Sequence, residues 1–219
     1  MTPNRRLFLQ MGPPAVAAFA LSTCSRSTQT ATPTQTAIPN RTAQTNTLPP
    51  TSTCGESSVT PTQTPGPFYT PESPERTSLR EPDNPGTPIV LVGQALSASC
   101  EPIANALLDF WHTNAQGEYD NSGYRFRGHQ FTDNQGYYRL ETIIPGIYPG
   151  RTRHFHVKVQ APNNTPLTTQ LYFPEEPLNI RDGLFQPELL ISLSDLQSDL
   201  QPAEPTERQA TFNFVLATA

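Results

Sequence analysis

Four side chains, Tyr119, Tyr148, His154 and His156, have the types and spacing to hold a metal ion. Three of them fall in one short run, Pro145-Gly146-Ile147-Tyr148-Pro149-Gly150-Arg151-Thr152-Arg153-His154-Phe155-His156. Side chains on a β-strand alternate between faces, so imidazoles at i and i+2 point the same way. A phenol stands just upstream, after a Pro-Gly turn. Phenolate is a hard anionic oxygen donor whose ordinary pKa is about 10, so near neutral pH it ionises only for a strong Lewis acid. Such a donor set favours a trivalent ion such as Fe(III) over Zn(II), which usually takes His, Cys and carboxylate. Singly, each residue has a plainer reading. Strand histidines are mostly satisfied core or surface residues, and tyrosine is common in β-sandwiches. The combination carries the argument.

Short strands must place these residues. Apolar or alternating runs predict strands at 89–93, 106–111, 136–140, 154–160 and 168–173. A last strand is expected near 210–216, with Ala210, Phe212, Phe214 and Leu216 on one face. Asn114-Ala115-Gln116-Gly117 supplies a turn before Tyr119. Frequent turns without a long helical period predict an all-β fold, an antiparallel β-sandwich with few short helices. One short helix or turn is expected near 187–196, capped by Ser192, Ser194 or Asp195. His112 alternates away from Trp111 and reads as structural or pocket-lining. His129 reads as a solvated loop residue.

The rest of the 219-residue chain is organised differently. Residues 1–24 have the form of an export signal: Arg5-Arg6, then Leu7-Phe8-Leu9, then an uncharged stretch from Met11 to Leu21. That stretch is too short to span a bilayer comfortably. The paired arginines resemble a twin-arginine signal. Leu21-Ser22-Thr23-Cys24 resembles a lipobox, so the expected membrane attachment is a lipid anchor at Cys24. Residues 25–57 are rich in Thr, Pro, Ser and Gln and read as a disordered linker. The folded domain is expected over 58–219. Cys54 and Cys100 remain as a candidate disulfide in an exported protein. The expected location is outside the cytoplasm, periplasmic or membrane-anchored. A net charge of −5 without a basic stripe argues against nucleic acid as a partner. Association with further copies of the chain is left open.

Four ordered blocks carry a resemblance. They are Trp111-His112-Thr113-Asn114-Ala115-Gln116-Gly117-Glu118-Tyr119, Thr132-Asp133-Asn134-Gln135-Gly136-Tyr137-Tyr138, Pro145-Gly146-Ile147-Tyr148-Pro149 and Arg151-Thr152-Arg153-His154-Phe155-His156. Together they resemble the intradiol ring-cleavage dioxygenases, most of all the protocatechuate 3,4-dioxygenase type. Upstream, Thr60-Pro61-Thr62-Gln63-Thr64-Pro65-Gly66-Pro67-Phe68-Tyr69 is similar to that family's entry segment. The resemblance runs over about 60–175.

It implies Fe(III) held by Tyr119, Tyr148, His154 and His156, with Tyr148 and His156 axial and Tyr119 and His154 equatorial. It implies a catechol-type substrate that displaces Tyr148, and O2 as co-substrate. Arg151 matches the arginine of R-x-x-H-x-H and would stabilise negative charge on the ring; Gln170 matches a glutamine beside the site. Gly150 departs from the pattern, standing where the protocatechuate enzymes carry an aromatic. Two rival readings have less support. A non-catalytic β-sandwich ligand- or partner-binding surface lipoprotein has no need of the Tyr/His set. A zinc hydrolase lacks a carboxylate near the His pair to serve as base.

Overall fold

The computed structural model describes residues 59–195 and 207–218, all within the unit Thr47–Ala219. The expected signal, linker, Cys24 and Cys54 lie outside the described residues. Nine strands are present among them: β1 Pro88–Ser97, β2 Leu107–Trp111, β3 Arg127–Phe131, β4 Tyr137–Ile143, β5 His154–Gln160, β6 Leu167–Tyr172, β7 Ser192–Asp195, β8 Arg208–Thr211 and β9 Phe214–Leu216. Among the described residues helix is limited to two single 3-10 turns, Asn179–Arg181 and Pro187–Leu189.

The strands form two sheets. One runs β4-β1-β8-β7, with β9 also paired to β1, and the other runs β3-β2-β5-β6. Their facing sides supply the core. Ile89, Leu91, Tyr138, Leu140, Ala210, Phe214 and Leu216 come from the first sheet, and Leu108, Phe110, Phe155, Val157, Val159 and Leu171 from the second. The alternation of buried apolar residues along each strand is what fixes these faces. The all-β expectation holds, with one refinement: β1 pairs parallel with both β8 and β9.

Three local expectations are corrected. Ser192, Ser194 and Asp195 do not cap a helix; they lie in β7, which pairs antiparallel with β8, and only 187–189 form a 3-10 turn. Alternation at Ile191 and Leu193 favours strand over helix beyond that turn. The single C-terminal strand is two, broken at Phe212-Asn213. At the break the Asn213 side chain accepts from the Gln94 N–H, and a Cβ on Gly93 would collide with the Phe212 carbonyl. His129 lies in β3, not a loop, with Nδ1 2.6 Å from the Ser73 carbonyl. Segment 59–79 packs alongside the strands and bridges β3 at Glu75 and β4 at Ser78. Cys100 is in a disulfide.

Candidate metal centre

The second sheet turns one face to the core and the other to segment 59–79 and the long loops. On that outer face the strand register draws Arg127 (β3), Trp111 (β2), His156 (β5) and Gln170 (β6) into one cross-strand row. His154 and Tyr172 are paired in an adjacent row. The imidazole of His156 stacks flat on Trp111, with centroids 4.9 Å apart and planes 6° from parallel. His154 and His156 do point the same way, and their Nε2 atoms are 3.2 Å apart.

Tyr119 and Tyr148 arrive on two loops and complete the cluster. Their rings meet edge to face at 5.9 Å, and Tyr119 lies 6.3 Å from the His156 ring. Phe68 stacks on Tyr119 at 4.6 Å and meets Tyr148 edge-on at 5.4 Å. Neighbouring Gly66 lies over His156, whose Cε1 would be 3.5 Å from an added Cβ. The segment that resembled a family entry motif is thus a roof over the four candidate ligands.

Two glycines let the tyrosine loops touch backbone to backbone. The Gly146 N–H donates to the Asn114 carbonyl at 2.8 Å, and the Thr113 hydroxyl donates to the Gly146 carbonyl at 2.9 Å. A Cβ on Gly117, which has a φ of +86°, would strike the Ile147 carbonyl; one on Gly146 would strike the Gly117 nitrogen. Gly146→Ala should therefore push the Tyr148 loop off the Tyr119 loop. We expect a destabilisation of about 1–3 kcal/mol, typical of overpacking, together with weaker iron binding. Denaturant midpoints and iron content check this, with Gly183→Ala as control because nothing stands within 4 Å of an added Cβ there.

The donor chemistry fits a hard trivalent ion. His154 Nδ1 lies 2.6 Å from the Thr152 carbonyl, which only accepts, so Nδ1 carries the proton and Nε2 presents its lone pair. Burial, with Arg151 adding to it, lowers the His154 pKa to about 4. Burial and neighbouring His154 depress that of His156 well below its ordinary value. Both rings are therefore neutral, the form that binds metal. Two ligands each about 2.1 Å from one ion and at right angles stand roughly 3 Å apart, close to the observed 3.2 Å. Burial raises the Tyr119 pKa, opposed by Arg151 and Arg127; a bound cation would reverse that balance. Among the described residues no cluster of three or more His, Cys, Asp or Glu occurs, so a metal here needs the phenols.

Arg151 flanks the cluster in a fixed pose. Nε donates to Asp182 Oδ2 at 2.9 Å, and Nη2 to Gln170 Oε1 at 2.5 Å. Asp182 also accepts from the Thr152 and Leu184 N–H groups, each at 2.9 Å. Burial pushes its pKa up, but the two N–H groups and Arg151 outweigh this and hold the carboxyl below its ordinary value. Gln170 is fully buried and donates to the Thr64 carbonyl at 3.0 Å, tying the roof segment to β6. Gly150 has nothing within 4 Å of where a Cβ would stand, leaving the rim open on that side. His112 is structural. It is buried, its ring nitrogens lie 2.7 Å from the Thr113 carbonyl and the Thr142 hydroxyl, and burial lowers its pKa to about 4.

All six site residues expected from sequence, Tyr119, Tyr148, Arg151, His154, His156 and Gln170, meet on this face. Asp182 and Phe68 were missed. Asp182 follows the 3-10 turn Asn179–Arg181 with no recognisable spacing to the histidines, and Phe68, although inside the entry-segment resemblance, carried no assigned role.

The chain is thus a β-sandwich with a Tyr/His cluster on the outer face of one sheet. A family model described as "Dioxygenase" matches residues 64–218, and the chain belongs to this family, the intradiol ring-cleavage dioxygenases. Among similar structures is the dioxygenase domain of a dioxygenase carbohydrate-binding protein fusion from a cellulolytic Streptomyces. It is 49% identical with a TM-score of 0.67, over 74% of this chain and 100% of that one. 3-Chlorocatechol 1,2-dioxygenase from Rhodococcus opacus is 26% identical with a TM-score of 0.67, over 76% of each chain. Catechol 1,2-dioxygenase from a Pseudomonas species is 27% identical over 191 residues, 72% of this chain and 63% of that protein. The protocatechuate 3,4-dioxygenase beta chain of Burkholderia cepacia is 33% identical over 119 residues, 46% of this chain and 51% of that protein. The chain thus spans less than two thirds of the length of these two curated relatives.

Proposed function

We propose that the chain uses Fe(III) and O2 to open a catechol-type aromatic diol between its two hydroxyl carbons, giving a cis,cis-muconate-type diacid. One observation carries this reading: two neutral imidazole Nε2 atoms and two phenols converge on one sheet face, beside a fixed guanidinium. Membership of the family supports the reaction class.

Tyr119, Tyr148, His154 and His156 would hold the iron. Bound there, ferric iron supplies the Lewis acidity that favours a catechol dianion and primes its ring for O2. The protein's own groups do the rest. Tyr148 is half-buried and stands next to the open rim at Gly150. It is the ligand with room to turn away and accept a substrate proton as a phenol. Arg151 is permanently cationic, and its ties to Asp182 and Gln170 aim it before substrate arrives, so negative charge on the ring meets a preorganised partner. Phe68 and Trp111 give the site apolar walls that exclude water. We propose also that the enzyme works outside the cytoplasm, on the strength of Arg5-Arg6 and the uncharged stretch from Met11 to Leu21.

The test is direct. Protein loaded with ferric iron should show a broad visible tyrosinate-to-iron charge-transfer band. It should also consume about one O2 per ring opened with at least one of catechol, protocatechuate, hydroxyquinol or a larger phenolic. A colourless, iron-free preparation after careful loading would overturn the reading.

A further inference from the structure

Arg127 lies just past the loop that carries Tyr119, and nothing in its sequence context marks it. It is 1% exposed. Its Nε and Nη2 donate to the Asp120 carbonyl at 3.1 and 2.8 Å, and its Nη1 to the Phe68 carbonyl at 2.6 Å. Both acceptors are neutral main-chain oxygens. Among the described residues no carboxylate forms an ion pair with it. A buried guanidinium without a paired anion is an expensive way to tie a loop.

Its placement says what it ties. Asp120 is the residue after Tyr119, and Phe68 is the residue whose ring lies on Tyr119. The guanidinium carbon itself stands 5.9 Å from the Tyr119 ring centroid, within cation–π range. On its own strand Arg127 opposes Trp111, which opposes His156. One side chain thus references the Tyr119 loop and the roof segment to the same rigid row that carries a histidine ligand.

We propose that Arg127 is a positioning residue for the metal centre: it holds the Tyr119 phenol in ligating position by gripping the chain after it and the roof above it. The Asp120 carboxylate completes the loop by accepting from the N–H groups of Ser122, Gly123 and Arg125. That leaves the Asp120 carbonyl as the point where β3 takes hold. Lysine at 127 keeps a charge but lacks the planar fork that reaches two carbonyls at once.

This proposal rests on the iron reading above, and the experiment separates the two. Ferric iron affinity is measured by chelator competition, and the charge-transfer band by visible absorption, for the wild type, Arg127→Lys, Arg127→Met, Tyr119→Phe and each Arg127 variant combined with Tyr119→Phe. Melting of the metal-free proteins reports folding. Groups that orient metal ligands are worth about 10–100-fold in affinity. We expect a loss of that size in Arg127→Met, a smaller loss in Arg127→Lys and a shifted band in both. In the Tyr119→Phe background the same changes should alter iron affinity less than about threefold, because the ligand they orient is gone. A merely structural arginine would weaken both backgrounds equally, and that additivity would overturn the proposal. So would wild-type affinity and an unshifted band in the Arg127 variants. If Arg127→Met fails to fold, the Arg127→Lys pair carries the same comparison. A wild type that binds no iron sinks the iron reading itself, independently of Arg127.

Discussion

His156→Ala should yield a folded protein that no longer holds iron. The side chain lies on the outer face of the second sheet, outside the cluster that forms the core, so its loss opens no void between the sheets. What disappears is one of the two Nε2 donors that meet at 3.2 Å. Even partners that only orient a ligand are worth about 10–100-fold in metal affinity. Removing a ligand outright should exceed that, and we expect iron affinity to fall by more than about 100-fold. The visible band and oxygen uptake should go with it. Trp111 loses its stacking partner, a buried contact that lies under the roof segment and not between the sheets, so the melting transition should stay cooperative. Iron content equal to wild type in this variant would remove His156 from the ligand set.

Arg151→Ala is the second large effect, of a different kind. The guanidinium is not expected to bind metal, so iron and colour should persist. Turnover should drop by about 10²–10³, the range seen when one preorganised charge-stabilising donor is removed. Asp182→Asn should reproduce part of this drop, since it keeps a side-chain acceptor but loses the charge that fixes Arg151 Nε at 2.9 Å. If the role is stabilisation of charge during reaction, kcat falls more than KM rises. A rise in KM alone would make Arg151 a substrate anchor instead.

The legibility of this protein differed by residue. His154 and His156 were readable because a two-residue spacing on a strand has one geometric meaning. The core strands were readable because Ile89, Leu91, Phe155 and Val157 alternate or run together as buried strands do. Tyr119 and Tyr148 came through the motif blocks, since loop residues have no periodicity to betray them. Strand β3 was missed because Arg127-Gly128-His129-Gln130-Phe131 offers no apolar alternation; Arg127 and His129 on its outer face are polar, and Phe131 on the same face is exposed. Asp182 was missed for a related reason. Its partners are main-chain N–H groups and an arginine 31 residues earlier, and such long-range pairs leave no local pattern. The split of β8 from β9 depends on how close the Phe212 carbonyl comes to Gly93, which only the packed sheet determines.

The roof over the candidate ligands is stitched at its start to the far end of the chain. The Thr60 N–H donates to the Val215 carbonyl at 2.9 Å, and the Val215 N–H donates to the Thr60 hydroxyl at 2.8 Å. Val215 lies in β9, which lies against β1. The other ties of the roof, Phe68 to Arg127 and Thr64 to Gln170, use residues made earlier in synthesis. The clamp at Thr60 waits until residues 214–216 have been made and β9 has docked. The leading edge of the cover is thus the part fastened last, and the part that loss of β9 would free first.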